Sequence, residues 1–198
     1  MLTGKWRIVT SIPRLSDLFP LRIDDDLELQ VLQEHHAPLL FKLVDSSRQH
    51  LRVWLPFVDS YQSVSAASDF IQSFQQKLKI KDGLALGIWY KGNLAGVITY
   101  DRFDWSNRVT LIGYWLGGLF QGKGLMSRTC TALVNIAFDK LKLNRVEIWC
   151  ASDSRRCRAV PERLGFIQEG TLRQREWIYD HFVDITAYSM LAGEWKRK

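Results

Sequence analysis

The chain contains few cysteines and histidines, and neither type is spaced as in a known class of metal site. The three cysteines, Cys130, Cys150 and Cys157, are odd in number and form no CxxC pair. This pattern argues against a disulfide framework and against a zinc site, and free thiols are typical of a reducing cytoplasm. The four histidines are scattered without ligand spacing. We therefore expect a cytoplasmic protein with free thiols and without a bound metal.

Long hydrophobic runs are also missing. No segment approaches the roughly 20 apolar residues that a membrane-spanning helix needs, and residues 1–18 lack the apolar core of a secretory signal. We interpret residues 1–18 as an N-terminal extension that packs on or near a single domain spanning 19–198. No repeat, linker or low-complexity stretch divides the 198 residues, and one hydrophobic core commonly serves a chain of this length. No interaction with a membrane is expected.

Positive charge is in moderate excess. Lys and Arg number 27 against 21 Asp and Glu, which gives a net charge of +6. A basic balance favours an anionic partner, such as nucleic acid, an acidic membrane or a phosphorylated cofactor. Nucleic acid is the weaker interpretation, because no helix-turn-helix, zinc-finger or RNA-binding aromatic motif accompanies the charge. Eight tryptophans and ten phenylalanines supply enough aromatic surface to line a pocket and to allow a homodimer.

Hydrophobic periodicity predicts a mixture of helices and strands. Helices are expected over about 36–51, 65–79, 121–141 and 155–164, and strands over about 21–23, 27–31, 84–90, 94–103, 108–116, 145–151, 166–178 and 182–190. Lys91-Gly92-Asn93 predicts a tight hairpin turn. Pro161 predicts that the last helix begins late, near Cys157, or bends. The order of elements predicts an α/β fold, with a mixed, mostly antiparallel twisted sheet and helices on both faces.

One segment carries a chemical signal. A strand ending in Tyr114-Trp-Leu116 is followed by a short loop and by Gln121-Gly-Lys-Gly124, which opens a helix. A helix N-terminus leaves backbone N–H groups unpaired, and glycines let the backbone approach a ligand, so the segment is suited to a phosphate or pyrophosphate. Neither the GxGxxG fingerprint nor the GxxxxGK[ST] P-loop is present. A tight strand-to-helix turn without a ligand is the alternative.

This loop resembles the coenzyme-A pyrophosphate loop of the GNAT acetyltransferase superfamily, whose signature is [QR]-x-x-G-x-[GA]. Gln121 and Gly124 match, and Met126 departs at the last position. Four further segments are similar to the RimJ/RimL branch of that superfamily, and together with the loop they extend the resemblance over roughly residues 19–195: His50–Phe57, Leu143–Ile148, Arg158–Gly170 and Ser189–Trp195.

The resemblance implies a GNAT-fold N-acetyltransferase that moves an acetyl group from acetyl-CoA onto a primary amine, by direct attack in a ternary complex and without a metal. The branch is similar to enzymes that acetylate N-terminal α-amines of ribosomal proteins. A small polyamine or an antibiotic amine is the alternative acceptor, and a non-catalytic acyl-CoA-binding protein is the alternative function. Met126 and Ser154, which replaces an asparagine of the branch, keep the last alternative open. Trp54 and Phe57 would wall the acceptor pocket or pack in the core.

The resemblance also assigns the contacts to coenzyme A. The pyrophosphate would be bound by six loop residues: Gln121, Gly122, Lys123, Gly124, Leu125 and Met126. Backbone groups of Trp115 and Leu116 would pair with the pantetheine arm, and an N–H near Leu116 would stabilise the developing oxyanion. Ser154 is either a cofactor contact or a helix cap. The 3′-phosphate would be recognised by three arginines that otherwise form a solvated helix face: Arg155, Arg156 and Arg158.

Two residues are the candidates for proton transfer. Cys157 occupies the position of a serine of the branch, nine residues before Phe166, and a thiol pKa near about 8.5 suits protonation of the leaving thiolate. Neighbouring arginines and the helix N-terminus would lower the pKa of Cys157, and a thiolate could not donate the proton. The alternative is that Cys157 packs in the protein or contacts the pantetheine arm. Glu176 occupies the position of a glutamate of the branch, nineteen residues after Cys157, and the resemblance implies that it is the base, acting through water. Otherwise it is a solvated carboxylate or an ammonium binder. Tyr179 and Tyr188 are alternative proton donors.

Overall fold

Eight strands form one sheet at the centre of the protein. The computed structural model describes residues 13–195. The strands lie in the order β1-β2-β3-β4-β5-β6-β8-β7, and every neighbouring pair is antiparallel except β5 with β6. In chain order the strands are β1 (Leu21–Arg22), β2 (Leu27–Val31), β3 (Leu84–Tyr90), β4 (Asn93–Asp104), β5 (Val109–Leu116), β6 (Arg145–Ala151), β7 (Ile167–Ile178) and β8 (His181–Leu191). The predicted mixed, mostly antiparallel sheet is confirmed.

Helices cover both faces of this sheet, as predicted. They are α1 (Ala37–Ser46), α2 (Arg48–Leu51), α3 (Val64–Lys79), α4 (Leu125–Asp139) and α5 (Arg155–Leu164). Buried residues of α4 and α5 share one hydrophobic cluster with Ile98, whereas those of α1 and α3 share a second cluster with Val97. Successive side chains of a strand point to opposite faces, so β4 contributes to both clusters. The sheet therefore divides the core into two parts, one under each layer of helices.

Two predicted helices have different bounds in the structure. The helix expected over 121–141 begins only at Leu125, because Gly122 and Gly124 adopt φ values of +72° and +70°, which a right-handed helix cannot contain. The helix expected over about 36–51 is divided at Ser47 into α1 and α2. The first difference leaves the glycine segment as a loop in front of α4.

The hairpin turn between β3 and β4 is confirmed, with Lys91 and Gly92 at φ values of +50° and +76°. The prediction of a late start for the last helix is wrong, because α5 begins at Arg155 and contains Pro161 in its interior. Proline has no N–H to donate to the carbonyl four residues earlier. A helix tolerates an interior proline where another group donates a hydrogen bond to that carbonyl.

The described part of the predicted extension contacts the core. A short 3-10 turn covers Leu15–Leu18, and the Leu15 side chain is buried in the larger cluster. Residues 1–12 and 196–198 lie outside the described residues, so the boundary between extension and domain stays a prediction. Between residues 13 and 195, no helix is both long enough and apolar enough to cross a membrane.

Candidate active site

The strands β5 and β6 part halfway along β5. Their parallel pairing runs from Val109 with Arg145 to Ile112 with Ile148 and then stops. Beyond that point β5 continues through residues 113–116 beside β4, while the rest of β6 continues beside β8. The main-chain edge of residues 113–116 that faces β6 is therefore open, and an extended ligand pairs with such an edge as an added strand does.

The glycine loop lies just beyond this open edge. Gly124 is the N-cap residue of α4, and both Gly122 and Gly124 have the left-handed backbone that favours glycine. A Cβ atom built on either residue meets no atom within 4 Å, so the space in front of the loop is open. Lys123 is exposed between them. The first-turn N–H groups of α4 face an opening that suits an anion.

The next two residues contribute to the loop only through their backbone. The side chains of Leu125 and Met126 are buried, 1% and 7% exposed, within the cluster under α4. The Met126 sulfur lies 3.6 Å from Thr129 Oγ1. The departure from the family signature at Met126 therefore fills the core and leaves the N–H groups of the first turn uncovered.

His50 joins the end of β5 to the loop. Its Nε2 atom lies 3.1 Å from the main-chain oxygen of Leu116 and 2.8 Å from Nε2 of Gln121. The Oε1 atom of Gln121 accepts a hydrogen bond of 2.6 Å from Arg156. His50 begins one of the segments similar to the RimJ/RimL branch, but the sequence assigns it no role in the site. No spacing rule connects residues 50, 116 and 121, so its position became evident only in the tertiary structure.

A cavity lies on the face of the sheet that α1 and α3 cover. It is bounded by β4, β5, α3 and the segment after α2. Its volume is about 290 Å³, and five aromatic side chains are among those that line it: Phe57, Tyr61, Phe70, Phe74 and Trp115. The side chain of Asp101 also lines it. Phe57 therefore lines a pocket, which agrees with the first of its two interpretations, a pocket wall or a core residue. Trp54 packs instead against Ile178 and its neighbours in a small third cluster.

Comparison with known proteins shows the family of this chain. Residues 26–167 match the family model described as an acetyltransferase (GNAT) domain. The chain belongs to the GNAT acetyltransferase family. YdaF of Bacillus subtilis (strain 168) is 32% identical over 180 residues, which are 90% of this chain and 98% of YdaF.

Two other GNAT proteins extend the comparison. The ribosomal-protein-serine acetyltransferase of Escherichia coli (strain K12) is 29% identical over 174 residues, which cover 86% of this chain and 96% of that protein. The microcin C7 self-immunity acetyltransferase MccE, solved in complex with acetyl-CoA and AMP, superposes with a TM-score of 0.85 at 27% identity. That superposition covers 88% of this chain and 98% of MccE.

The arginines predicted to bind the 3′-phosphate of a GNAT cofactor are not equivalent. Arg155 is exposed, and Arg156 donates to Gln121. Arg158 donates to the Tyr188 hydroxyl at 3.0 Å, to the main-chain oxygen of Ser152 at 2.8 Å and to Glu162 at 3.3 Å. The guanidinium of Arg158 therefore joins α5 to β8, and the structure gives no support to its phosphate role.

Ser154 stands at the start of α5 without capping it. Its side chain is buried, 7% exposed, at the N-cap position. It forms no side-chain hydrogen bond to the first turn of the helix. Ser154 therefore holds the N-cap position that one interpretation gave it, but its side chain does not supply the capping hydrogen bond.

The expectation of free thiols is wrong for two of the three cysteines. Cys150 in β6 and Cys157 in α5 form a disulfide, with their Cα atoms 5.9 Å apart, and Cys130 is a free, buried thiol. The chain leaves β6 and returns along α5, so seven residues of sequence bring the two sulfur atoms together. In this oxidised state Cys157 has no S–H group and cannot act as an acid.

Glu176 lies on β7, where the register with β8 shifts between Leu172 and Glu176. Its side chain is exposed, and within residues 13–195 it takes part in no hydrogen bond or salt bridge. The structure thus shows no hydrogen bond between Glu176 and Cys157, the two residues predicted to act in one GNAT reaction.

The same described residues contain no cluster of three or more His, Cys, Asp or Glu side chains that could hold a metal ion.

Proposed function

We propose that this protein transfers the acetyl group of acetyl-CoA to a primary amine by direct attack in a ternary complex. The observation that carries the proposal is the open edge of β5 at residues 113–116, with the glycine loop at its end and the aromatic cavity on the α1–α3 face. A donor on the edge and an acceptor in the cavity would meet at this strand. MccE, whose fold matches, binds acetyl-CoA.

The residues present fit coenzyme A. Backbone groups of Trp115 and Leu116 would pair with the pantetheine arm, and the N–H groups of 122–126 would bind the pyrophosphate, supported by the Lys123 ammonium. Arg155, which is exposed at the start of α5, would reach the 3′-phosphate. Gln121 would hold the loop through its contacts with His50 and Arg156. When bound, acetyl-CoA supplies the thioester carbonyl that the amine attacks.

The chain's own groups would move the protons. Glu176 would take a proton from the amine through water, and an N–H near Leu116 would stabilise charge on the carbonyl oxygen. Cys157 would return a proton to the leaving sulfur once its disulfide is reduced. The alternative donors are engaged elsewhere, because Tyr179 donates to the main-chain oxygen of Arg52 and Tyr188 to Glu162, both at 2.8 Å.

The preferred acceptor in this proposal is a protein N-terminal α-amine. Its pKa, about 7.7–8.0, makes deprotonation by a weak base sufficient, and the Escherichia coli relative acts on a ribosomal-protein serine. A small primary amine is the second candidate, because the cavity is lined by aromatic rings and is large enough for one side-chain-sized group. A ribosomal acceptor would place the protein in the cytoplasm.

The experiment is a measurement of thiol release from acetyl-CoA with N-terminal peptides, polyamines and aminoglycosides as acceptors. We expect release with one acceptor class, and loss of most of it in Glu176→Gln. Binding of coenzyme A by calorimetry without release for any acceptor, in Cys150→Ser as well as in wild type, would contradict the transferase and favour an acyl-CoA-binding protein.

A further inference from the structure

Asp101 lies at an irregular point of β4. The register between β4 and β5 shifts between Tyr100 and Arg102, so Asp101 has no partner residue across the strand pair. A bulge of this kind bends a strand and redirects a side chain, and bulges are frequent next to active sites. Here the bulge places a carboxylate in the wall of the aromatic cavity.

The facing strand leaves room for this carboxylate. A Cβ atom on Gly113 would lie 2.5 Å from Asp101 Oδ2 and 2.9 Å from Thr99 Oγ1. The Thr99 hydroxyl donates a hydrogen bond of 2.6 Å to Asp101 Oδ1. A glycine on one strand and a hydroxyl on the other thus hold the Asp101 side chain in a defined position.

Asp101 lacks a cationic partner of its own. Within the described residues no salt bridge reaches its carboxylate, and Lys77 Nζ donates instead to the main-chain oxygen of Asp101 at 2.8 Å. Burial raises the pKa of Asp101, while the Thr99 hydrogen bond and the charges of Lys77 and Arg102 oppose that rise. A half-buried carboxylate that forms no salt bridge is stabilised by a bound cation, and aromatic walls attract cations as well.

We propose that Asp101 binds the ammonium group of the acceptor, while the surrounding rings hold an apolar or aromatic group attached to it. The inference rests on the proposed function and names its acceptor class: a primary amine with an apolar neighbouring group. Gly113, which pairs with Thr99 and lies against the Asp101 carboxylate, is also the first residue of the open edge of β5. An amine held by Asp101 is therefore next to the strand assigned to the acetyl donor.

The test measures binding without acetyl-CoA, so it does not depend on turnover. Calorimetry compares 2-phenylethylamine with 2-phenylethanol, which has the same shape and no charge. We expect wild type to prefer the amine, and Asp101→Asn to bind the amine about tenfold more weakly with unchanged affinity for the alcohol, as expected for loss of one charged contact. Asp25→Asn, which removes an exposed carboxylate from the turn after β1, is expected to leave both affinities unchanged.

A second variant covers the case in which Asp101→Asn does not fold. Gly113→Ala keeps the negative charge but forces the carboxylate aside, so it is expected to weaken amine binding as well. Equal wild-type affinity for amine and alcohol, or unchanged amine affinity in both variants, would overturn the inference.

Kinetics distinguish this inference from the proposed function. In an active enzyme Asp101→Asn should raise KM for the amine with little change in kcat. Acetyl transfer with an unchanged KM would overturn the Asp101 assignment alone. Asp101-dependent amine binding with no transfer to any acceptor would overturn the proposed enzyme and support the ammonium site.

Discussion

The hydroxyl of Tyr114 donates a hydrogen bond of 3.0 Å to the main-chain oxygen of Cys157. In an uninterrupted helix that oxygen would accept the N–H four residues later, but that residue is Pro161, which has none. Burial raises the pKa of Tyr114 well above its ordinary value, so the phenol keeps its proton. A side chain of β5 thereby completes the hydrogen bonding of α5 and fixes the helix beside the gap between β5 and β6.

Tyr114→Phe should therefore reduce the free energy of unfolding by about 1–3 kcal/mol, because a buried carbonyl loses its donor. Urea denaturation measures this change. In a Pro161→Ala background the new N–H of residue 161 can serve the same carbonyl, so Tyr114→Phe should cost less there. An equal cost in both backgrounds would show that the hydroxyl does not compensate for the proline.

Gly124→Ala should weaken the binding of coenzyme A by about tenfold. A left-handed backbone costs a residue with a Cβ atom about 1–2 kcal/mol, and relaxation of the loop would turn its N–H groups away from the ligand. Gly92→Ala is the matched control, because Gly92 has nearly the same φ, +76°, in the distant β3–β4 turn. Calorimetry that shows the same small loss for both variants would contradict the proposed role of the loop.

Reduction of the Cys150–Cys157 disulfide should increase turnover, because a disulfide sulfur has no proton to donate. Cys150→Ser should be active without reductant, Cys157→Ser should retain substantial turnover, and Cys157→Ala should lose much of it. Mass spectrometry of the acetylated acceptor measures the rate without interference from the reductant. Cys130→Ala, which removes the buried free thiol, should not alter the response. Wild-type rates in Cys157→Ala would remove this residue from the mechanism.

Glu169 should make stability sensitive to acid. Hydrogen bonds from Arg145 and from Ser189 lower its pKa from 4.5 to about 2. Because the folded pKa is depressed, the contribution is present above pH 4.5 and is lost as the pH falls toward 2. The Glu169 side chain is 42% exposed, so solvent screening limits the expected loss in Glu169→Gln to about 1 kcal/mol at neutral pH.

Thermal unfolding between pH 2 and pH 7 measures this contribution. Wild type and Glu169→Gln should differ at neutral pH and converge as the solution becomes acidic. A constant difference over the whole range would assign the effect to packing.

Local sequence signals predicted much of the fold. The pattern of 145–151 gave β6 with its observed bounds, and that of 155–164 gave α5, although Pro161 wrongly suggested a late start. Such patterns are properties of a few adjacent residues. The signature Gln121–Met126 located the loop for the same reason. It did not reveal that α4 begins only at Leu125. The positive φ angles of Gly122 and Gly124 depend on the contacts that the loop makes with distant residues.

The sequence by itself determined the family, the order of elements and the glycine loop, because each depends on residues that are close together along the chain. Tertiary structure alone decided which distant residues meet. It joined Cys150 to Cys157, placed His50 beside Leu116, and placed the Asp101 carboxylate against Gly113 in an aromatic cavity. Strand register, a bulge and helix packing create these contacts. They are set by the burial of the whole core and leave no fixed spacing in the sequence.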